Sequence, residues 1–234
     1  MKIGVVAAMP QEFNTLTTKS TNYQEPIHIN PGFCGIISGM GASNAAKAVK
    51  RLCSYDSGIQ GVISWGVAAA LSHRLLLGQV TMPHSIITTG GKTHKLTGDL
   101  NSHLHHKISR KLTVETDLLH AVTSDVLASV KDKVALHSRT KAHSADMESG
   151  ALLRYCNQQQ MDFAVIRVIS DDAETSIPEI ISKSSTTDGR VNMVKLLGLL
   201  LRHPTQLPQM IQVARDFGKA KQELSKISKL IKSE

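Results

Sequence analysis

An α/β fold on a largely parallel sheet is what this 234-residue sequence predicts. Five short apolar runs rich in Val and Ile, each bounded by Gly, Pro or Asp, have the length and composition of buried strands. Helical patterns alternate with them, and strands that feed helices in this order build parallel sheets. Turns containing Gly or an acid follow three of the runs, and in open α/β sheets ligands bind beyond the carboxyl ends of strands, where such turns gather.

The first run lies in "MKIGVVAAMPQEF" (residues 1–13), where the apolar stretch is short, interrupted by Pro10 and closed by Glu12, so it reads as a buried strand rather than the long apolar region of an export signal. "GFCGIISG" is the second, and after "SGMGASN" the segment "AAKAVKRLC" places Ala45, Ala48, Val49 and Leu52 at helical spacing. "GVISWGVAA", "QVTMPHSIIT" and "DFAVIRVIS" supply three more strands, and "SADMES" opens a helix that carries Leu152 and Tyr155 on one side. Residues 90–115 are polar, His-rich and weakly patterned, which predicts a surface excursion. From Val191 onward, "VNMVKLLGLLLRH", "LPQMIQVARDF" and "AKQELSKISKLIKS" are three helical candidates separated by Pro204, Pro208 and Gly218.

Composition narrows the function classes. No run approaches the roughly 18 apolar residues a bilayer span needs, since "MVKLLGLLLR" is broken by Lys195 and ended by Arg202. Cys34, Cys53 and Cys156 form no C-x-x-C pair, so the sequence suggests neither a disulfide framework nor a metal site and predicts a reducing, cytoplasmic setting. "HLHH" (103–106) lies in a polar segment without Cys or acidic partners and reads as incidental. The net charge of +8 is uneven: residues 181–234 hold ten Lys or Arg against four Asp or Glu, a surplus of six. With 3% aromatic residues there is little to stack on bases, which argues against nucleic acid as the partner of that charge.

Several short stretches can carry chemistry. Ser170, Asp171 and Asp172 emerge together at the end of "VIRVISDD", where partial desolvation raises a carboxyl pKa toward what a general acid needs near neutral pH. Asp is equally at home there as a turn or capping residue. "DMES" sets two acids at a helix start, where the helix dipole alone would favour them. "SGMG" is neither the G-x-G-x-x-G pattern nor a Walker loop, and its glycines would serve simply to start a helix tightly.

In order along the chain, "GVVAAMPQE", "SGMGASNAA", "SWGVAAAL", "ADMES" and "VIRVISDDA" resemble the nucleoside phosphorylase and nucleosidase superfamily from Met1 to about Ala173, most closely the branch of the methylthioadenosine/S-adenosylhomocysteine nucleosidases. The segment "DGRVNMVKLLGLLLRHPTQLPQMIQVARDF" looks like the C-terminal extension of the hopanoid-associated phosphorylase-like proteins, which release adenine from adenosylhopane. The resemblance implies a three-layer α/β/α fold with a central mixed, largely parallel sheet. It implies a catalytic domain over residues 1–190, with residues 191–234 a basic amphipathic helical extension packed on or beside it.

The resemblance also implies roles. Asp171 matches the acid that protonates N7 of a departing purine, with Ser170 orienting it, and Glu12 matches the carboxylate that activates water. Glu148 matches the ribose-binding Glu: an ionised carboxylate only accepts, which suits two hydroxyl donors on neighbouring sugar carbons. Met147 would pack on the sugar face and Asp146 would cap the helix, while Arg167 would hold Glu148 or the nucleophile by charged hydrogen bonds. Met9 and the backbone around Gly66 and Ala68 would flank purine and sugar. One departure stands out: the nucleosidases carry S-A-G-G where this chain has Val67, Ala68, Ala69 and Ala70, which puts the ribose-side geometry and the level of activity in question.

No cation stands in "AAMPQEF" or in "SWGVAAAL", whereas the superfamily's phosphorylases hold phosphate with arginines there, so hydrolysis is favoured. Backbone N–H groups after "SGMG" remain able to hold an anion. The expected enzyme is a purine nucleosidase that needs no cofactor or metal, acts on an adenosyl compound and prefers adenosylhopane. Methylthioadenosine or S-adenosylhomocysteine as substrate, phosphorolysis, and nucleoside binding without turnover are the alternatives. A homo-oligomer is implied, and peripheral membrane contact through Leu196, Leu197, Leu199, Leu200, Leu201 and Lys219, Lys221, Lys226, Lys229, Lys232 would bring the protein to a lipid-linked substrate. The same leucines and lysines serve equally as a core-facing stripe and a solvated face.

Overall fold

The computed structural model describes residues 1–124, 126–178 and 204–232, with positions 186, 199 and 202 besides. The chain opens with β1 (Lys2–Ala7), the single turn α1 (Pro10–Phe13), β2 (Ile27–Asn30), β3 (Phe33–Ile37), α2 (Ala42–Tyr55) and the long strand β4 (Ile59–Ala70). Then come β5 (Val80–Thr81), β6 (Ser85–Ile87), β7 (Thr93–Lys95), α3 (Asp99–Ser109), β8 (Val114–Glu115), β9 (Leu119–Val122) and α4 (Val130–Thr140). β10 (Ser144–Asp146), α5 (Ser149–Gln158) and β11 (Asp162–Asp171) follow, and a 3-10 turn at Pro204–Gln206 leads into α6 (Leu207–Lys232).

The strands join one mixed sheet. β1 runs parallel between β3 and β4, and β11 runs parallel along β4 from Asp162 opposite Gly61 to Asp171 opposite Ala69. β2, β5, β7 and β10 each add an antiparallel pairing. Strand side chains alternate between faces, and that alternation divides the core in two. Ile3, Val5, Ala7, Ile166 and Val168 meet Phe13, Leu104, Ile108, Leu224 and Ile227 on one face. Val6, Cys34, Ile36, Phe163 and Val165 meet Ala45, Val49, Leu52, Leu152 and Cys156 on the other. Helices α1, α3 and α6 therefore cover one side and α2 and α5 the other, which makes the three layers.

Three expectations change. "QVTMPHSIIT" is two strands: Pro83 has no N–H to give a ladder, and the chain changes partners across it, from β11 and β8 to β9 and β7. Residues 90–115 are not a surface excursion, because Leu100, Leu104 and Ile108, four apart, put one face of α3 into the core. Beyond Pro208, where two helices were expected, α6 is one helix of 26 residues that runs through Gly218. Its residues Ala220, Leu224, Ile227 and Ile231 are buried, and Lys232 donates to the Leu16 carbonyl at 2.6 Å. The expected helix over residues 191–203, with its leucine stripe, lies outside the described residues apart from positions 199 and 202, as does the domain boundary at 190/191. No described helix is long and apolar enough to cross a membrane.

Candidate active site

Glu12 is built into two elements at once. As the third residue of α1 it turns back on the helix start, its Oε2 accepting the N–H groups of Ala8 at 3.1 Å and Met9 at 2.9 Å. Its Oε1 accepts the Val67 N–H of β4 at 2.9 Å. A carboxylate offers about four lone-pair sites, so three N–H donors leave about one for a further partner. Gly66 makes this approach possible: a Cβ there would collide with the carboxylate, lying 2.8 Å from Glu12 Cδ. Burial pushes the Glu12 pKa above the ordinary carboxylate value, against the pull of the Val67 N–H, the Arg167 guanidinium and the Met9 and Ala8 N–H groups.

Glu148 stands at the cap of α5, and its Oε1 accepts the Gly41 N–H at 2.6 Å. Gly41 caps α2 with φ of 93°, a conformation suited to glycine. Asp146 lies at the centre of the network beside Glu148. It accepts from the backbone N–H groups of Glu148 and Ser149 at 3.2 and 3.1 Å, from the Ser149 hydroxyl, and from Arg167 through Nε at 2.9 Å and through Nη2. His120 Nε2 lies 3.3 Å away. Burial alone would raise the Asp146 pKa, but Arg167, His120 and Ser149 hold it well below the usual range. The fixed charge acts on Glu148, whose pKa is raised first by burial and then by repulsion from Asp146.

Arg167 is thus spent on Asp146, with further hydrogen bonds from Nη2 to Ser64 Oγ at 2.6 Å and Ser149 Oγ at 3.1 Å. The expectation that it hydrogen-bonds Glu148 is replaced by an indirect arrangement: it fixes the turn from which Glu148 projects. Asp146 does cap the start of α5 and is also the centre of this network.

Asp171 closes β11 and is 9% exposed. Ser170 Oγ donates to its Oδ1 at 2.8 Å, and Lys133 forms an ion pair with its Oδ2. Lys133, in the first turn of α4, is wholly buried; its ammonium also donates to the carbonyls of Asp172 at 2.6 Å and Thr175 at 3.0 Å, which satisfies its three donors. Burial raises the Asp171 pKa, while Lys133 and Ser170 pull it down.

One cavity of about 170 Å³ brings these groups together. Glu12, Glu148, Asp171, Ser170, Met9, Met147 and Ala68 all line it, and its described lining holds no Lys, Arg or His. Arg167 lies behind it, beside a recess of about 10 Å³ shared by Glu12, Ser64 and Glu148, near the lower limit for one water. Gly66 lines neither and acts only by making room. β4 runs on through "SWGVAA" to Ala70, where Ala69 and Ala70 pair with Ala145 and Ser144, so their methyl groups are taken up in a strand. Lys133 and the hub role of Asp146 escaped the sequence reading. Nothing in "VKDKVALHSRT" separates Lys133 from solvated neighbours except its three-residue spacing from buried Leu136.

The sequence profile of the Phosphorylase superfamily matches residues 2–198. Among solved structures, futalosine hydrolase of Helicobacter pylori is 16% identical, with 99% of this chain and 97% of that one covered at a TM-score of 0.72. The 5′-methylthioadenosine/S-adenosylhomocysteine nucleosidase of Neisseria meningitidis, in complex with methylthio-immucillin-A, is 17% identical, with 100% and 99% covered at 0.72. The nucleosidase of the same name from Helicobacter pylori gives 17% identity, 98% and 96% coverage and 0.68. At this identity the likeness speaks to the fold alone.

Proposed function

The chain belongs to the phosphorylase superfamily, and on that premise we propose that it is a purine nucleosidase that releases adenine from an adenosyl compound with water as the nucleophile. The observation that carries this reading is the cavity wall: carboxylates from Glu12, Asp146, Glu148 and Asp171, and no cation among its described residues. Such a wall offers a phosphate dianion no cation to hold it, and the Glu12 and Glu148 carboxylates suit the positive charge that grows on a sugar as its base departs. The anion position at the start of α2 is taken by Glu148 itself. The structural neighbours named as nucleosidases and hydrolase support the same reaction class.

In the proposed reaction the C1′–N9 bond breaks and its electron pair goes to the purine. Asp171, its pKa raised by burial, delivers a proton to N7 so that the base leaves neutral. Glu12 uses its remaining lone pair to accept a proton from water as the new O–C1′ bond forms. Glu148 accepts from the ribose diol, and Met147 and Met9 pack against sugar and base. Ser170 orients Asp171, and Arg167 acts through Asp146 to position Glu148.

Adenosylhopane is the favoured substrate, with methylthioadenosine or S-adenosylhomocysteine next. A second cavity of about 920 Å³ shares Thr123, Val126 and Leu127 with the first, which supports a substrate whose substituent extends beyond the nucleoside. A homo-oligomer is part of the proposal, and light scattering tests it. Membrane contact by α6 would rest on exposed Lys219, Lys221, Lys226 and Lys229, because the helix's apolar face is spent on the core. The Lys133 ammonium on Asp171 favours a second reading, nucleoside binding without turnover, since the ion pair stabilises the proton-free acid.

The test is turnover in ¹⁸O-labelled water with and without phosphate. The expected product is adenine plus a free sugar carrying the label, at a rate independent of phosphate. A sugar 1-phosphate would overturn hydrolysis, and no adenine from any of the three adenosyl substrates would favour the binding protein.

A further inference from the structure

At the amino-terminal edge of the parallel strands, the opposite end of the sheet from the carboxylate cavity, three side chains of different chemistry converge. His28 on β2 pairs with Cys34 on β3 in the antiparallel register, and Asp56 follows the last turn of α2. Their donor atoms form a triangle: His28 Nδ1 to Cys34 Sγ is 3.0 Å, Cys34 Sγ to Asp56 Oδ2 is 3.4 Å, and His28 Nδ1 to Asp56 Oδ2 is 3.7 Å. A tetrahedral ion bound at about 2.3 Å to sulfur and about 2.0–2.1 Å to nitrogen and oxygen holds its donors about 3.3–3.6 Å apart. The three edges are already close to those of a coordination sphere.

The frame around them is ordered. Cys34 is wholly buried, the His28 ring leans on Tyr55 with centroids 5.0 Å apart, and Asp56 Oδ1 accepts the Gly58 N–H at 2.9 Å, which fixes the carboxylate with Oδ2 toward the sulfur. The half-exposed His28 side chain gives an ion a path from solvent.

We propose that His28, Cys34 and Asp56 form a zinc site whose fourth position is taken by water. Imidazole, thiolate and carboxylate together suit Zn²⁺ rather than the hard, all-oxygen cations. Two local features set how tightly it binds. The Lys2 ammonium lies 2.7 Å from the same Asp56 oxygen and must swing aside. The Cys34 thiol, pushed up to about 11 by burial and by Asp56, must give up its proton to the incoming ion. Lys2 therefore acts as a competitor, and its removal tightens the site. The plain alternative is a thiol that only hydrogen-bonds its two neighbours.

Titration of the full chain with CoCl₂ separates the two. The expected result is one Co²⁺ per chain with a thiolate-to-cobalt charge-transfer band that Zn²⁺ bleaches. Cys34→Ala, with its fold checked by circular dichroism, abolishes the band. His28→Gln at the half-exposed position weakens binding at least tenfold, and Lys2→Met strengthens it. Absence of the band in the wild-type chain, or a band that survives both Cys34→Ala and His28→Gln, overturns the site.

Discussion

Glu148 sits between opposing influences. Burial and the Asp146 charge favour its protonated form, while the Gly41 N–H and Arg167 favour the carboxylate. Only the carboxylate accepts from both hydroxyls of a diol, so substrate binding should weaken as pH falls through a pKa raised above the ordinary carboxylate range. Glu148→Gln should raise KM about tenfold to a hundredfold, the loss of a charge-assisted contact of about 1.5–3 kcal/mol, and should flatten the pH dependence of KM. A KM that rises toward alkaline pH in the wild type would contradict this. For Asp171 the sign is opposite, because the active form is the protonated one and activity is lost as pH rises through its pKa. Lys133 pulls that pKa down, so Lys133→Met should move the alkaline limb of kcat to higher pH; no movement, or movement down, counts against the pairing. "DMES" and "RVISDD" announced acids at strand and helix ends, so Glu148 and Asp171 were legible as candidates. Lys133 was not, because what makes it a site neighbour is burial beside a strand end 38 residues away, which no local pattern records.

At the scale of elements, α3 and α6 decide whether the sheet's first face is closed. Leu104 and Leu224 are buried there to within 1%, and truncation of such residues costs about 2–5 kcal/mol. Leu224→Ala should therefore lower the unfolding free energy by that amount, read as a lower urea midpoint at an unchanged slope, and removal of residues 204–234 should abolish cooperative unfolding. A truncated chain with an unchanged midpoint would make α6 an appendage. The Val- and Ile-rich strands were readable because burial on both faces leaves unbroken apolar runs. α3 was obscured by its own surface: Leu100, Leu104 and Ile108 are separated by His, Asn, Ser and Lys, and the polar surroundings masked the spacing. For α6 the two Pro residues and Gly218 suggested breaks. Pro208 falls in its first turn, where the missing N–H costs nothing, and Gly218 is tolerated.

Across the whole molecule, opposite ends of one sheet carry different chemistry: buried carboxylates where the parallel strands end, and the His28, Cys34 and Asp56 triangle where they begin. The order of five short stretches made the family legible, since strand ends scattered over about 160 residues converge only when the sheet is parallel. The antiparallel pairing of β10 with β4 was not legible, nor was the placing of Asp146 at the centre of the site, because both depend on pairing between segments rather than on either segment's pattern. The central claim is that Asp171 hands its proton to a departing purine inside a cavity shared with Glu12 and Glu148. Its most direct test is adenine release at saturating adenosyl substrate by the wild-type chain and by Asp171→Asn, with substrate affinity measured alongside. The account predicts a fall in kcat of about 10²–10⁴-fold, the usual scale of general acid catalysis, with affinity changed little; an Asp171→Asn chain that releases adenine at the wild-type rate would contradict it.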